Sequence, residues 1–236
     1  MPSIEFLDVL EWREHISEVC AVEVEPAVLQ EMRLVWDQLP LNMKVQFKDG
    51  DILEFLRSTE ECFDLYNLDF YGGFLFTRSQ KPARVPDAIR AIVRRHGEKH
   101  IPCILICTFN VRDTGEDEYL RFLDELPQKL RGWKHIDESV KAHSEGHAQK
   151  MKACFPLFVL HECRKFDLQL TLADPFVYRS SALMLHFYME ALPRSVDLPR
   201  LMHEEDSMVN LLNLPLRQLE GLIPRMNFRP PIVARS

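Results

Sequence analysis

Three carboxylates close three apolar runs in the first third of the chain. The runs are Cys20-Ala21-Val22-Glu23-Val24-Glu25-Pro26, Phe47-Lys48-Asp49-Gly50-Asp51-Ile52 and Phe63-Asp64-Leu65-Tyr66-Asn67-Leu68-Asp69-Phe70-Tyr71-Gly72-Gly73. Each reads as a strand ending in an acid, and a helical pattern follows each one. Ligands of open α/β sheets bind outside the carboxyl ends of the strands. A carboxylate collected there accepts hydrogen bonds from ribose hydroxyls or amino groups, so the row reads as one site. Asp51 has a second use as a helix N-cap, and the two roles are compatible.

Gly50 is the first glycine of the chain. A nucleotide site of this kind normally has a glycine turn after its first strand, because only glycine lets backbone N–H groups come close to the ligand. That turn is missing ahead of Gly50.

The elements that must position these acids alternate. Residues 3–19 carry apolar side chains at Phe6, Val9, Leu10, Ile16 and Val19, a helical spacing; a short strand over residues 4–7 is the other reading, against which Glu5 speaks. A strand is expected near 19–24, then a helix opened by Pro26 and running to about residue 38. Strands at 45–48 and 63–68 flank a short helix at 52–57. A basic helix over 86–96 precedes the most apolar strand, 101–109. Strands alternating with helices imply parallel crossovers and a doubly wound sheet.

The pattern then changes. Residues 116–130 read as a helix, and 133–150 as a polar, exposed helix or loop. Residues 154–165 fit either helix or strand. Stretches 168–178 and 182–189 read as strands joined through Arg179-Ser180-Ser181, and so short a connection implies an antiparallel hairpin. From Pro193 onward prolines punctuate short leucine-rich pieces. The expected organisation is an α/β domain over 1–192 and a Leu/Pro-rich extension over 193–236.

In their order and spacing these motifs resemble a class I S-adenosylmethionine-dependent methyltransferase, from about Val19 to Met189. The resemblance implies a Rossmann-like, mostly parallel sheet with helices on both faces and a late antiparallel hairpin. It implies that Glu23 accepts the ribose hydroxyls of S-adenosylmethionine, with Glu25 a nearby substitute, and that Asp51 accepts from the adenine amino group with Ile52 against the ring. Asp69 would face the sulfonium and orient the methyl acceptor, and Phe70 and Tyr71 would wall that pocket. The family's first motif, a strand ending in an acid followed by a glycine-rich turn, is absent. With residues 3–19 as the helix after that turn, the expectation is a start codon further upstream or a gene remnant. The Val22 and Leu65 strands would then lack a shared neighbour.

Two other functions fit the same features. One is a catalytically inactive methyltransferase-like domain acting as a partner or structural subunit, with a protein partner or as a homo-oligomer. The other is a nicotinamide-dependent oxidoreductase, which also uses a strand-end acid but fits the late hairpin less well. The lack of an Asn/Asp-Pro-Pro-Tyr form at Asp69 argues against DNA base amines as acceptors without excluding nucleic acid.

The remaining features read as structural. Asn110-Val111-Arg112-Asp113 follows the apolar strand on the ligand side of the sheet and reads first as a polar loop. His143 and His147 would share a helical face, but a metal site needs a third ligand, and none is expected here. His161, Cys163 and His186 fall in apolar runs and read as interior. Arg84, Arg90, Arg94, Arg95 and Lys99 read as a solvated outer face.

The net charge of −7 argues against a broad nucleic-acid-binding face. The six cysteines include no Cys-x-x-Cys pair, which points to reduced thiols rather than zinc or dithiol chemistry. No apolar run is long enough to span a bilayer, and the first residues lack the pattern of a signal peptide. A cytoplasmic location is the expectation.

Overall fold

The computed structural model describes residues 15–38, 43–70, 85–110, 147–173, 175–179, 183–195 and 217–218. Within them the chain is α/β, with four helices and a mixture of parallel and antiparallel strands. It divides into two compact units, one of residues 1–61 with 80–92, the other of residues 62–79 with 93–236.

In the first unit β1 (Glu18–Glu23) runs parallel to β2 (Lys44–Asp49), with Glu18 opposite Lys44 and Glu23 opposite Asp49. Parallel neighbours need a crossover, and α1 (Pro26–Gln38) lies in it. Pro26 suits a first helical turn because its missing N–H would have no intrahelical partner. Leu29 and Trp36, two turns apart on one face, are buried, and Trp36 meets the Phe47 ring of β2 edge-on at 6.4 Å. The Arg33 guanidinium lies 5.6 Å from the same ring's centroid, close enough for a cation–π attraction.

The short helix α2 (Ile52–Ser58) follows β2, buries Leu56 and packs on β1. No residue of β1 or β2 is fully buried. A central parallel strand is apolar on both faces, whereas this pair carries Glu18, Lys44, Gln46 and Lys48. Glu18 accepts from Gln46 Nε2 at 2.7 Å and pairs with Lys44 Nζ at 2.9 Å, and these partners hold its carboxyl below the usual range.

In the second unit β3 (Leu65–Phe70) runs parallel to β4 (Cys103–Asn110), and β4 runs antiparallel to the long β7 (Leu183–Pro193). Both β5 (Leu168–Leu172) and β6 (Phe176–Arg179) lie antiparallel to β7, along successive stretches of it. The single strand expected over 168–178 is therefore two, interrupted around Pro175, which has no amide to give to a ladder. The β6–β7 pairing is the expected antiparallel hairpin. From the C-terminal segment, β8 (Arg217–Gln218) adds parallel to β6.

Strands β3 and β7 alternate between buried and more exposed positions. Tyr66, Leu68 and Phe70 of β3, and Leu185, Phe187, Met189 and Ala191 of β7, are buried. Helix α4 (His147–Lys165) packs on β5 and β7 and resolves residues 154–165 as helix, beginning well before Cys154. Pro156 sits inside it. Proline breaks an isolated helix, but here Phe155, Leu157, Phe158, Val159 and Cys163 are all buried, and that burial holds the helix. Phe109 stacks on Phe70 at 5.1 Å and meets Phe155 at 4.8 Å and Phe187 at 6.0 Å. Each such side chain contributes roughly 1.5–3 kcal/mol through burial.

Helix α3 (Val85–Lys99) spans the boundary between the units. Arg90, Arg94 and Lys99 are exposed as expected, but Arg95 is buried. Its place three residues after buried Ile92 puts it on the apolar face, which the count of basic residues alone concealed. His96 is fully buried. Its Nδ1 lies 3.3 Å from the Ile101 carbonyl, which can only accept, so Nδ1 carries the proton. Nε2 then accepts from the Tyr66 hydroxyl at 2.9 Å, and that hydroxyl accepts from the Phe63 amide at 3.2 Å. Burial lowers the His96 pKa and raises that of Tyr66 to about 12.

Candidate functional site

Two of the three expected acids share the first unit. Glu23 ends β1, and its carbonyl accepts from the Gly50 amide at 3.1 Å. Gly50 has φ +147°, a conformation that glycine adopts without strain, and it carries the chain from the end of β2 to Asp51. The ends of the two strands are thus tied together, with Glu23 on one and Asp51 one residue beyond that tie on the other.

Each side chain also organises its own turn. Glu23 Oε1 accepts from the Glu25 amide at 2.9 Å, which orders the turn into α1. Asp51 has extended backbone (φ −78°, ψ 125°), and its Oδ1 accepts from the Leu53 amide at 2.8 Å, the N-cap of α2. Ile52, the first residue of α2, is half-buried. A pair of carboxylates anchored this way can accept hydrogen bonds from hydroxyl or amino groups of a ligand.

Asp69 belongs to the second unit, at the penultimate position of β3. It is exposed, yet the protein around it withholds enough water to push its carboxyl pKa up. Phe70 faces the opposite way, buried against Phe109. Tyr71, Gly72 and Gly73 lie outside the described residues, as do Arg84, Arg112, Asp113, His143 and the 116–130 stretch.

Asp69 heads a row of side chains that the sequence reading did not assemble. Asp69 is the register partner of Thr108, Thr108 of His186, and His186 of Phe176, so one row crosses β3, β4, β7 and β6. Thr108 Oγ1 and His186 Nδ1 lie 2.9 Å apart. The His186 ring stacks on Phe176 at 4.7 Å, and burial lowers its pKa. A second polar group lies further along the same face: Glu190 accepts from Tyr188 at 2.9 Å and from Thr171 at 3.2 Å. The readable signal was the alternation of β7, where Met184, His186, Tyr188 and Glu190 oppose the buried set; strand register, which selects Thr108 as the partner, is not readable locally.

Among the described residues no group of three or more His, Cys, Asp or Glu side chains could hold a metal ion, and no helix is long and apolar enough to cross a membrane. None of the six cysteines is in a disulfide. Burial raises the pKa of Cys103 to about 12 and that of Cys107 further still. No protein-family model matches the chain, and no curated protein is significantly similar to it.

Proposed function

We propose that this chain is an S-adenosylmethionine-dependent methyltransferase or a relative of one. The observation that carries the reading is the bond from the Gly50 amide to the Glu23 carbonyl, which ties the end of β1, where Glu23 stands, to the turn after β2 that presents Asp51. The proposed sheet is Rossmann-like, and the parallel β3–β4 pair followed by antiparallel β7 is consistent with it. In this reading Glu23 takes the ribose hydroxyls and Asp51 the adenine amino group, with Ile52 beside the ring. Each such bond to a charged acceptor contributes about 1.5–3 kcal/mol.

Asp69 is assigned to the methyl acceptor. The acceptor's lone pair forms the new bond to the methyl carbon while the sulfonium S–C bond breaks, its electrons staying on sulfur as a thioether. Catalysis of this kind is mainly positioning. Ultraviolet cross-linking with methyl-labelled S-adenosylmethionine tests the assignment. Label is expected on peptides from residues 18–61, and label confined to other peptides, or none, counts against it.

A second reading is a catalytically inactive methyltransferase-like subunit. Among the described residues β3 pairs only with β4 and β1 only with β2. The β3 sequence Leu65-Tyr66-Asn67-Leu68-Asp69-Phe70 has neither Pro nor Lys to guard its other edge, the usual devices against strand addition. Light scattering after size exclusion that finds a defined oligomer, together with silent cofactor titrations, would favour this reading.

A further inference from the structure

The row through Asp69, Thr108 and His186 continues to Asn110. Residues two apart on a strand share a face, about 7 Å apart, so Asn110 lies beside Thr108 at the carboxyl end of β4, on the face that carries Asp69. Asn110 is 6% exposed. Its Oδ1 is buried and has no hydrogen-bond partner among the described residues. A buried carbonyl oxygen left unpaired is costly, and a ligand that supplies a donor removes the cost.

The donor's nature follows from its neighbours. At the carboxyl ends of β3 and β4 this face carries the Asn110 carbonyl and the Asp69 carboxylate, both acceptors. A hydroxyl has one proton to give, whereas an NH2 group has two. Thr108 and Asn110 are both buried, and burial disfavours an ammonium ion. Phe176, stacked on His186, adds an aromatic surface at the other end of the row.

We propose that Asn110, with Thr108 and Asp69, forms a site for a ligand bearing a neutral NH2 group, a primary amide or an aromatic amine. The site lies wholly within the second unit and does not depend on the cofactor reading above. Phe70, Glu23 and Asp51 take no part in the site.

The test needs no cofactor. Full-length chain with labelled histidine is titrated with benzamide and, separately, with methyl benzoate, which has the same ring but no N–H. The His186 ring signals are followed by NMR. Benzamide is expected to shift them saturably, with affinity at least about fivefold tighter than the ester, the factor that one satisfied hydrogen bond supplies. Asn110→Leu is expected to erase that preference. Equal responses to the two probes, or no response to benzamide, overturn the proposal, and this comparison on the unsubstituted chain decides it even where the variant fails to fold. Because S-adenosylmethionine is absent, the outcome is separate from the fate of the cofactor reading.

Discussion

The Gly50 amide donates to the Glu23 carbonyl oxygen across 3.1 Å, which ties the end of β1 to the turn that presents Asp51. Each acid is already fixed by a hydrogen bond from the backbone just after it, Glu23 by Glu25 and Asp51 by Leu53. Side chains held this way lose little further freedom when a ligand arrives, so more of each new hydrogen bond appears as affinity.

Substitution separates capping from binding at this pair. Glu23→Ala is expected to weaken S-adenosylmethionine binding by about 10- to 100-fold, the factor for losing a charged acceptor. Asp51→Ser keeps an N-cap of similar quality, whereas Asp51→Ala loses about 1 kcal/mol of stability. Both Asp51 variants should lose similar affinity, while thermal melts show only the alanine destabilised. Unchanged affinity in Asp51→Ser would confine that side chain to capping.

Asp69 has the opposite balance. Its raised carboxyl pKa means that the folded protein disfavours its charge relative to the unfolded chain. Above both values that disfavour subtracts from stability. Asp69→Asn is therefore expected to raise the urea midpoint at pH 7 while lowering any methyl transfer. A lowered midpoint would show that the carboxylate makes structural contacts instead.

Stability should fall on mild acidification. His96 and His186 have folded-state pKa values below the unfolded value of about 6.5. Between the two values the unfolded state binds more protons, so stability rises with pH through that interval and is lost as pH drops from about 6.5 toward the folded values. Asp69 contributes with the opposite sign in a lower window, starting near the usual carboxylate value. Urea midpoints at pH 7.5 and 5.5 check this, and a midpoint that is flat or higher at 5.5 contradicts it.

A close approach fixes one glycine in the second unit. A Cβ on Gly97 of α3 would overlap Phe166 Cβ and come within 3.0 Å of the Phe166 carbonyl oxygen. Neither atom can swing away, because one is backbone and the other is bound directly to it. Gly97→Ala is expected to destabilise the protein by about 1–3 kcal/mol, the usual range for overpacking, despite alanine's better helix propensity. Denaturant unfolding measures it, and a stabilised variant would show that the packing yields there.

The parts of the molecule legible in the sequence are those set by local chemistry. Pro26 marks the start of α1, Asp51 caps α2, and alternation marks β3 and β7, because each depends on neighbours a few residues away. The long-range pairings were not legible. Nothing around Thr108 names His186 as its partner across the sheet, since register depends on how whole strands align. Leu168 to Tyr178 looked continuous because β5 and β6 share the apolar pattern that β7 demands of both. Arg95 looked solvated because burial of a charged residue depends on what packs over it. The acids were found by their place at strand ends, whereas Asn110, read first as loop, gained its significance only from a buried carbonyl without a donor.

The most direct test is calorimetric titration of the full chain with S-adenosylmethionine and with its demethylated product, for the unsubstituted protein and Glu23→Ala. Saturable binding of both ligands, weakened by the substitution, is the predicted result. No heat at millimolar ligand, or equal binding by the two proteins, would contradict the claim that Glu23 and Asp51 hold an adenosine-containing cofactor.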